Sequence, residues 1–215
     1  MELLFSLVIG YLLGAISPSY FISKKKNVDL QKEGTKNLGT TNTIMVLGKS
    51  SGAFVMLFDI FKAYLSVCIC RLLFPRFLIA GIAAGGAAVL GHNYPFYIKF
   101  KGGKGIAAFA GFIIAMNLKH FFLLLSVCLA IAIIANYSCM LSFSAAILFP
   151  ILTITDMIRQ EIHATYILIG ALILLITSAS IIYKHTDNLK KIASGEEIKF
   201  RTFMSKYIFT SKKDR

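Results

Sequence analysis

The chain holds 215 residues, of which 57% are hydrophobic and only 15% charged, against about 45–50% apolar and 25% charged in an ordinary globular domain. A membrane-crossing helix takes about 20 apolar residues, so this length accommodates about five to seven spans and excludes a large soluble catalytic domain. The 23 Lys and Arg against 10 Asp and Glu give a formal charge of +13, which in a chain this apolar points to a basic cytoplasmic face and not to a nucleic-acid partner.

The first apolar run covers about 3–22. It carries Glu2 in place of a basic n-region and has no small-x-small cleavage site, so it predicts a retained first span and not a cleaved signal. Gly10 and Gly14 give it the small-xxx-small spacing of close membrane helix contacts. The loop that follows is basic (Lys24, Lys25, Lys26, Lys32, Lys36, Lys49), and its stretch from Glu33 to Asn42 is dense in Gly, Thr and Asn. Such residues turn the backbone and offer short hydrogen-bonding groups without adding charge.

The second run, about 52–73, contains Asp59 and Lys62, the clearly intramembrane charges; three residues apart on one helix, they can neutralise each other. The third, about 77–91, is rich in small residues, with Gly81, Gly85 and Gly86 suited to close packing. Next come Gly91-His92-Asn93-Tyr94-Pro95 and Phe100-Lys101-Gly102-Gly103-Lys104-Gly105. Three glycines among two lysines just before an apolar helix bring free backbone N–H groups, a helix N-terminus and two cations together, as an anion site requires. A flexible basic loop lying on anionic lipid accounts for the same residues. A Walker loop does not, since Lys104 is followed by Gly105 and not by Ser or Thr.

The remaining apolar runs lie at about 105–117, 121–136, 139–155 and 164–183; the first two of these could form one bent element, and Pro150 lies inside the third. Cys68, Cys70, Cys128 and Cys139 lie in or beside apolar runs without zinc-site spacing, so they read as reduced packing residues and no metal is expected. After the last run comes His185-Thr186-Asp187-Asn188, with Gly195-Glu196-Glu197 beyond. His185 and Asn188 would share one face of a helical continuation.

With seven spans, 18 of the 23 cations fall on one side, in segments of about 24–50, 92–104 and 184–215. The positive-inside rule then places the N-terminus outside and the C-terminus in the cytoplasm. The expected fold is an all-α polytopic membrane protein of about seven transmembrane helices, forming a single domain over 1–215. Its three polar clusters meet on the cytoplasmic face, and all suit phosphate or hydroxyl groups.

Gly34 to Asn42, the Gly91–Gly105 segment and His185-x-x-Asn188 with Gly195-Glu196-Glu197 resemble, in order and spacing, the three motifs of the bacterial acyl-phosphate:glycerol-3-phosphate acyltransferases, the PlsY family. The resemblance extends over about 20–200, and the second motif is the most specific. It implies an enzyme of the bacterial inner (plasma) membrane that moves a fatty acyl group from acyl phosphate to the 1-hydroxyl of sn-glycerol 3-phosphate. The products would be 1-acylglycerol 3-phosphate (lysophosphatidic acid) and phosphate, the first acylation of phospholipid synthesis. No cofactor and no covalent intermediate are implied. The partners are the two substrates, membrane lipids and an acyl-phosphate-producing enzyme of fatty-acid synthesis.

By the same resemblance, His185, Asn188 and Lys104 are the catalytic candidates, with His185 either a base or an orienting group. Lys101, Gly102, Gly103, Gly105 and His92 belong to the phosphate loop, Thr35, Asn37 and Asn42 to the first motif, and Ser142 and Glu197 complete the pocket. The chain departs from the pattern where Thr35 replaces a serine, Met45 a basic residue, Ala108 a threonine, and Asn136 and Cys139 an arginine and a serine. Those departures support a diverged, catalytically weak lipid-binding paralogue as an alternative; a small transporter is another, against which stands that Asp59 and Lys62 are its only clearly intramembrane charges and can neutralise each other. An acyltransferase of the His-x4-Asp kind is excluded, because the residues five beyond His92, His120, His163 and His185 are Tyr97, Leu125, Leu168 and Lys190.

Overall fold

A computed structural model describes residues 1–209, and these are helical with no strand among them. The first apolar run is broken into α1 (Glu2–Ala15) and α2 (Pro18–Lys25). Pro18 cannot donate to the preceding turn but fits a helix start, and Ser17 caps α2 by accepting from Tyr20 N. The hydroxyl of Tyr97 closes the break, donating to Ala15 O at 2.9 Å and accepting from Ser17 N at 3.0 Å.

Short α3 (Thr40–Leu47) ends at Gly48, whose φ of +88° turns the chain into the long α4 (Lys49–Leu73). Then follow α5 (Ala80–Asn93), α6 (Ile106–Met116), α7 (Leu118–Ala135), α8 (Cys139–Arg159) and α9 (Ala164–Lys184). The fourth and fifth apolar runs are two helices and not one bent element. Extended backbone at Asn117 ends α6, and its side-chain oxygen accepts from Lys119 N and His120 N to start α7. Pro150 is carried within α8. Beyond α9 lie α10 (Thr186–Ala193), α11 (Phe200–Phe203) and a π-helical turn over Met204–Phe209.

All seven apolar runs are helical, but their lengths differ. Among the described residues, five stretches are long and apolar enough to cross a membrane: Glu2–Lys25, which joins α1 and α2, and the four helices α4, α7, α8 and α9. Helices α5 and α6, with 14 and 11 residues, fall short of the about 20 that a bilayer core takes.

Helix α5 is the axis of the bundle, with every residue but Leu90 buried. Its glycines and alanines let neighbouring backbones approach: a Cβ on Gly10 or Gly14 of α1 would lie 2.2 or 2.0 Å from the carbonyl oxygens of Ala84 or Ala88. Gly85 faces the ring of Phe112, and Gly86 faces Ile173 and Thr177 of α9. Phe109, Phe112 and Phe149 stack edge-on at 5.1–6.1 Å between α6 and α8. Outside this core, exposed apolar side chains such as Leu57, Phe61, Ile134, Leu168 and Leu175 suit a hydrocarbon surround.

Cross-contacts fix how the helices run. The stacked rings of Phe5 and Phe74, the Arg71 bond to Ala115 O and the His120–Asp156 pair gather one set of ends. The ends of α1, α5 and α9 and the starts of α4, α6 and α8 gather at the other, which also carries all three polar clusters.

Candidate active site

The first cluster is a loop organised by one side chain. Asn42, wholly buried, accepts from Thr35 N at 2.6 Å, while its Nδ2 faces the carbonyls of Leu30, Asn37 and Glu33 at 2.9, 3.0 and 3.1 Å. Both of its N–H donors are therefore used within the loop, and Asn42 shapes the turn, in which Gly34 and Lys36 both take positive φ. The Asn37 carbonyl is one of its acceptors, while the Thr35 hydroxyl stays half-buried. Leu30 and Leu38 pack on Ile98, and Gln31 Nε2 donates to Lys101 O at 2.9 Å, so the first cluster rests on the second.

In the second cluster, two amides expected to be free are used. Gly102 N donates to Asn93 O at 3.2 Å and Gly103 N to His92 O at 3.1 Å, folding the loop back on the end of α5. Both glycines are needed for this, since a Cβ on Gly102 would lie 2.1 Å from His92 O and one on Gly103 would lie 2.1 Å from His92 Nε2. The amides an anion could meet are therefore those of Lys104, Gly105 and the first turn of α6, whose N–H groups have no partner within the helix. Lys101, expected to hold phosphate, offers its carbonyl to Gln31 and leaves its side chain exposed.

Lys104 is turned inward. Its ammonium donates to Asn188 Oδ1, and Asn188 Nδ2 donates to Glu197 Oε1 at 2.7 Å, so the second and third clusters form one chain of hydrogen bonds. Burial holds the Lys104 ammonium below the usual lysine range, partly offset by the charge of Glu197. His185 is buried beside the ring of Phe143, with Nδ1 2.8 Å from the Ile181 carbonyl. Only a protonated Nδ1 can make that bond, so Nε2 is left as an acceptor. Burial pushes the His185 imidazole down to about 4, so it is neutral at pH 7.

Ser142 is buried on α8 one turn after Cys139, which lies within electrostatic range of Lys104. A small apolar recess is lined by Ile106, which follows Gly105, Phe109 and Ile113 of α6, Phe121 and Leu125 of α7 and Leu141 of α8.

Several site features were not legible in the motifs. Asn93 Nδ2 donates to Ser180 Oγ at 2.7 Å, tying α5 to α9, while its buried Oδ1 has no partner among the described residues and lies beside Gly105. Adjacency to His92 was the available signal. Asp59 and Lys62 do pair, at 2.7 Å, but His92 Nδ1 joins them 3.2 Å from Asp59. Asn136 accepts from Phe200 N through its carbonyl at 2.8 Å and from Arg201 N through its side chain at 3.0 Å, so this departure from the motif pattern anchors the segment after Glu197. Ala108 is buried in the core and Met45 is half-buried on α3.

The model of the glycerol-3-phosphate acyltransferase family matches residues 4–195. Curated relatives named glycerol-3-phosphate acyltransferase include that of Thermosipho melanesiensis, 34% identical over 203 residues and 93% of each chain. Another, from Macrococcus caseolyticus, is 36% identical over 207 residues, 94% of this chain and 98% of that one. The crystal structure of PlsY (YgiH), an integral membrane glycerol 3-phosphate acyltransferase, in its glycerol 3-phosphate form superposes with a TM-score of 0.80 at 30% identity, covering 98% of this chain and all of that one. Its lysophosphatidic acid form gives 0.76 at 29%, covering 96% and 100%. With its three motifs gathered at one end of a membrane bundle, the chain belongs to the glycerol-3-phosphate acyltransferase family.

Proposed function

We propose that this protein transfers a fatty acyl group from acyl phosphate to the 1-hydroxyl of sn-glycerol 3-phosphate. The observation that carries the reading is the Lys104–Asn188–Glu197 chain, which joins the glycine loop to the segment after α9 in one polar site beside a small apolar recess. The donor's phosphate lies on the amides from Lys104 into α6 and on the Lys104 ammonium, with its acyl chain directed to the α6–α7–α8 recess. Glycerol 3-phosphate lies between the Thr35–Asn37 loop, Ser142, Asn188 and His185, its hydroxyl donating to His185 Nε2.

An acyl phosphate is an activated mixed anhydride, so alignment and charge stabilisation are the main demands on the protein. The hydroxyl oxygen bonds to the acyl carbon, the bond from that carbon to the phosphate oxygen breaks, and inorganic phosphate leaves with the electron pair. The hydroxyl proton, held toward His185 Nε2 before attack, passes to an oxygen of the departing phosphate as the new C–O bond forms. His185 orients the hydroxyl, because an imidazole held near 4 is a weak base.

The bundle end that carries the motifs faces the cytoplasm of a bacterial inner membrane, with α5 and α6 completing seven passes; the excess of cations at that end supports this pose. Sealed vesicles test function and pose together. Given palmitoyl phosphate and labelled glycerol 3-phosphate, which does not cross the bilayer, inverted vesicles are expected to form labelled lysophosphatidic acid and right-side-out vesicles are not. Equal product in both would reject the pose, and none in either would reject the function.

A further inference from the structure

Asp59, Lys62 and His92 form a cluster only 1%, 3% and 6% exposed. It joins three elements: α4 carries Asp59 and Lys62, α5 carries His92 in its last turn, and the break between α1 and α2 supplies Ile16. An ammonium carries three N–H donors and no acceptor. Lys62 Nζ has three partners for them: Ile16 O at 2.6 Å, Asp59 Oδ1 at 2.7 Å and His92 Nδ1 at 3.1 Å. In so dry a place each proton needs its acceptor. His92 Nδ1 therefore accepts from Lys62, and the imidazole proton resides on Nε2.

The opposite tautomer would have Nδ1–H donate to Asp59 Oδ1, 3.2 Å away. That arrangement would turn the third Lys62 proton toward an N–H, leaving it without an acceptor. Asp59 meanwhile already accepts the shorter bond from Lys62.

Nε2 faces the glycine loop. The backbone of His92 accepts from Gly103 N, and its ring lies so close to Gly103 that a side chain there would collide with Nε2. We propose that Asp59 and Lys62 are positioning residues that hold His92 in the neutral Nε2–H form, giving the glycine loop a fixed hydrogen-bond donor for the phosphate of the acyl donor. This rests on the reading of the loop as the donor's phosphate site. It assigns the intramembrane charges to substrate binding through His92, and it makes His92 a donor whose bond strengthens as charge grows on the leaving phosphate.

In the full chain labelled with 15N-histidine in detergent, a long-range 1H–15N correlation at pH 7.5 is expected to show His92, assigned with H92Q, as the Nε2–H tautomer. An Nδ1–H signal would overturn the proposal. In K62M the tautomer is expected to move toward Nδ1–H and the KM for palmitoyl phosphate to rise about tenfold, with the KM for glycerol 3-phosphate nearly unchanged and K62R restoring both tautomer and KM. A shifted tautomer without a change in the donor KM would overturn the link to phosphate. Absence of turnover with palmitoyl phosphate in the wild type would reject the site reading, while the tautomer would still report on the lysine and aspartate.

Discussion

Lys104 points its ammonium into the Asn188–Glu197 chain, whereas Lys101, three residues earlier, lends only its carbonyl to the neighbouring loop. Both lysines lie in one glycine-rich stretch, and composition and spacing do not separate them; only the family resemblance singled out Lys104. The structure separates them through the two amide bonds that fold Gly102 and Gly103 back onto α5. Lys104→Ala is expected to lower kcat/KM by about 10²-fold, the loss of one preorganised donor. Lys101→Ala, an exposed side chain, is expected to cost less than about threefold. Equal losses would return the loop to the lipid-contact reading. His185 gives a pH prediction. Its folded-state value of about 4 lies below the ordinary 6.5, so the unfolded chain binds the proton more readily, and this contribution to stability is lost as pH falls from about 6.5 to 4. An NMR titration should place the His185 midpoint near 4, and a midpoint near 6.5 would show that the ring is not buried with its Nδ1–H on Ile181.

At the scale of elements, the α1–α5 contact carries the architecture. Gly14 and Ala88 meet backbone to backbone, and a Cβ on Gly14 has no flexible neighbour to displace. Gly14→Val is expected to destabilise the protein by about 1–3 kcal/mol or more, as overpacking does, read as a lower unfolding temperature in detergent. Gly48→Ala is the contrast: no atom lies near its Cβ position, so only the strain of φ +88° is felt. The apolar runs and glycine spacing made these helices legible in advance, because helix formation in a membrane follows from backbone satisfaction and apolar length. Three local features were not legible. The break at Ile16–Ser17 depends on Tyr97, about 80 residues away, to satisfy it. The burial of helix α5 on nearly every side is not visible in its apolar run. The Asn117 cap separates α6 from α7 through a side-chain bond that apolar periodicity does not register.

For the whole molecule, the sequence brought the three motifs to one side by counting cations, and the fold brings them to one end of the bundle. Counting could not say which side chains would meet. Asn42 is consumed by its own loop, His92 joins a buried charge pair, and Asn136 anchors the segment after Glu197. The apolar recess is likewise made by α6, α7 and α8 together, and no single run reveals it. In the proposed reading these parts are united by a donor with a small anionic leaving group and a long apolar tail. The decisive measurement therefore compares donors in the purified full-length protein: palmitoyl phosphate against palmitoyl-CoA, each with labelled glycerol 3-phosphate. Labelled lysophosphatidic acid from palmitoyl phosphate and essentially none from palmitoyl-CoA is the predicted result. Turnover with palmitoyl-CoA alone would contradict the account.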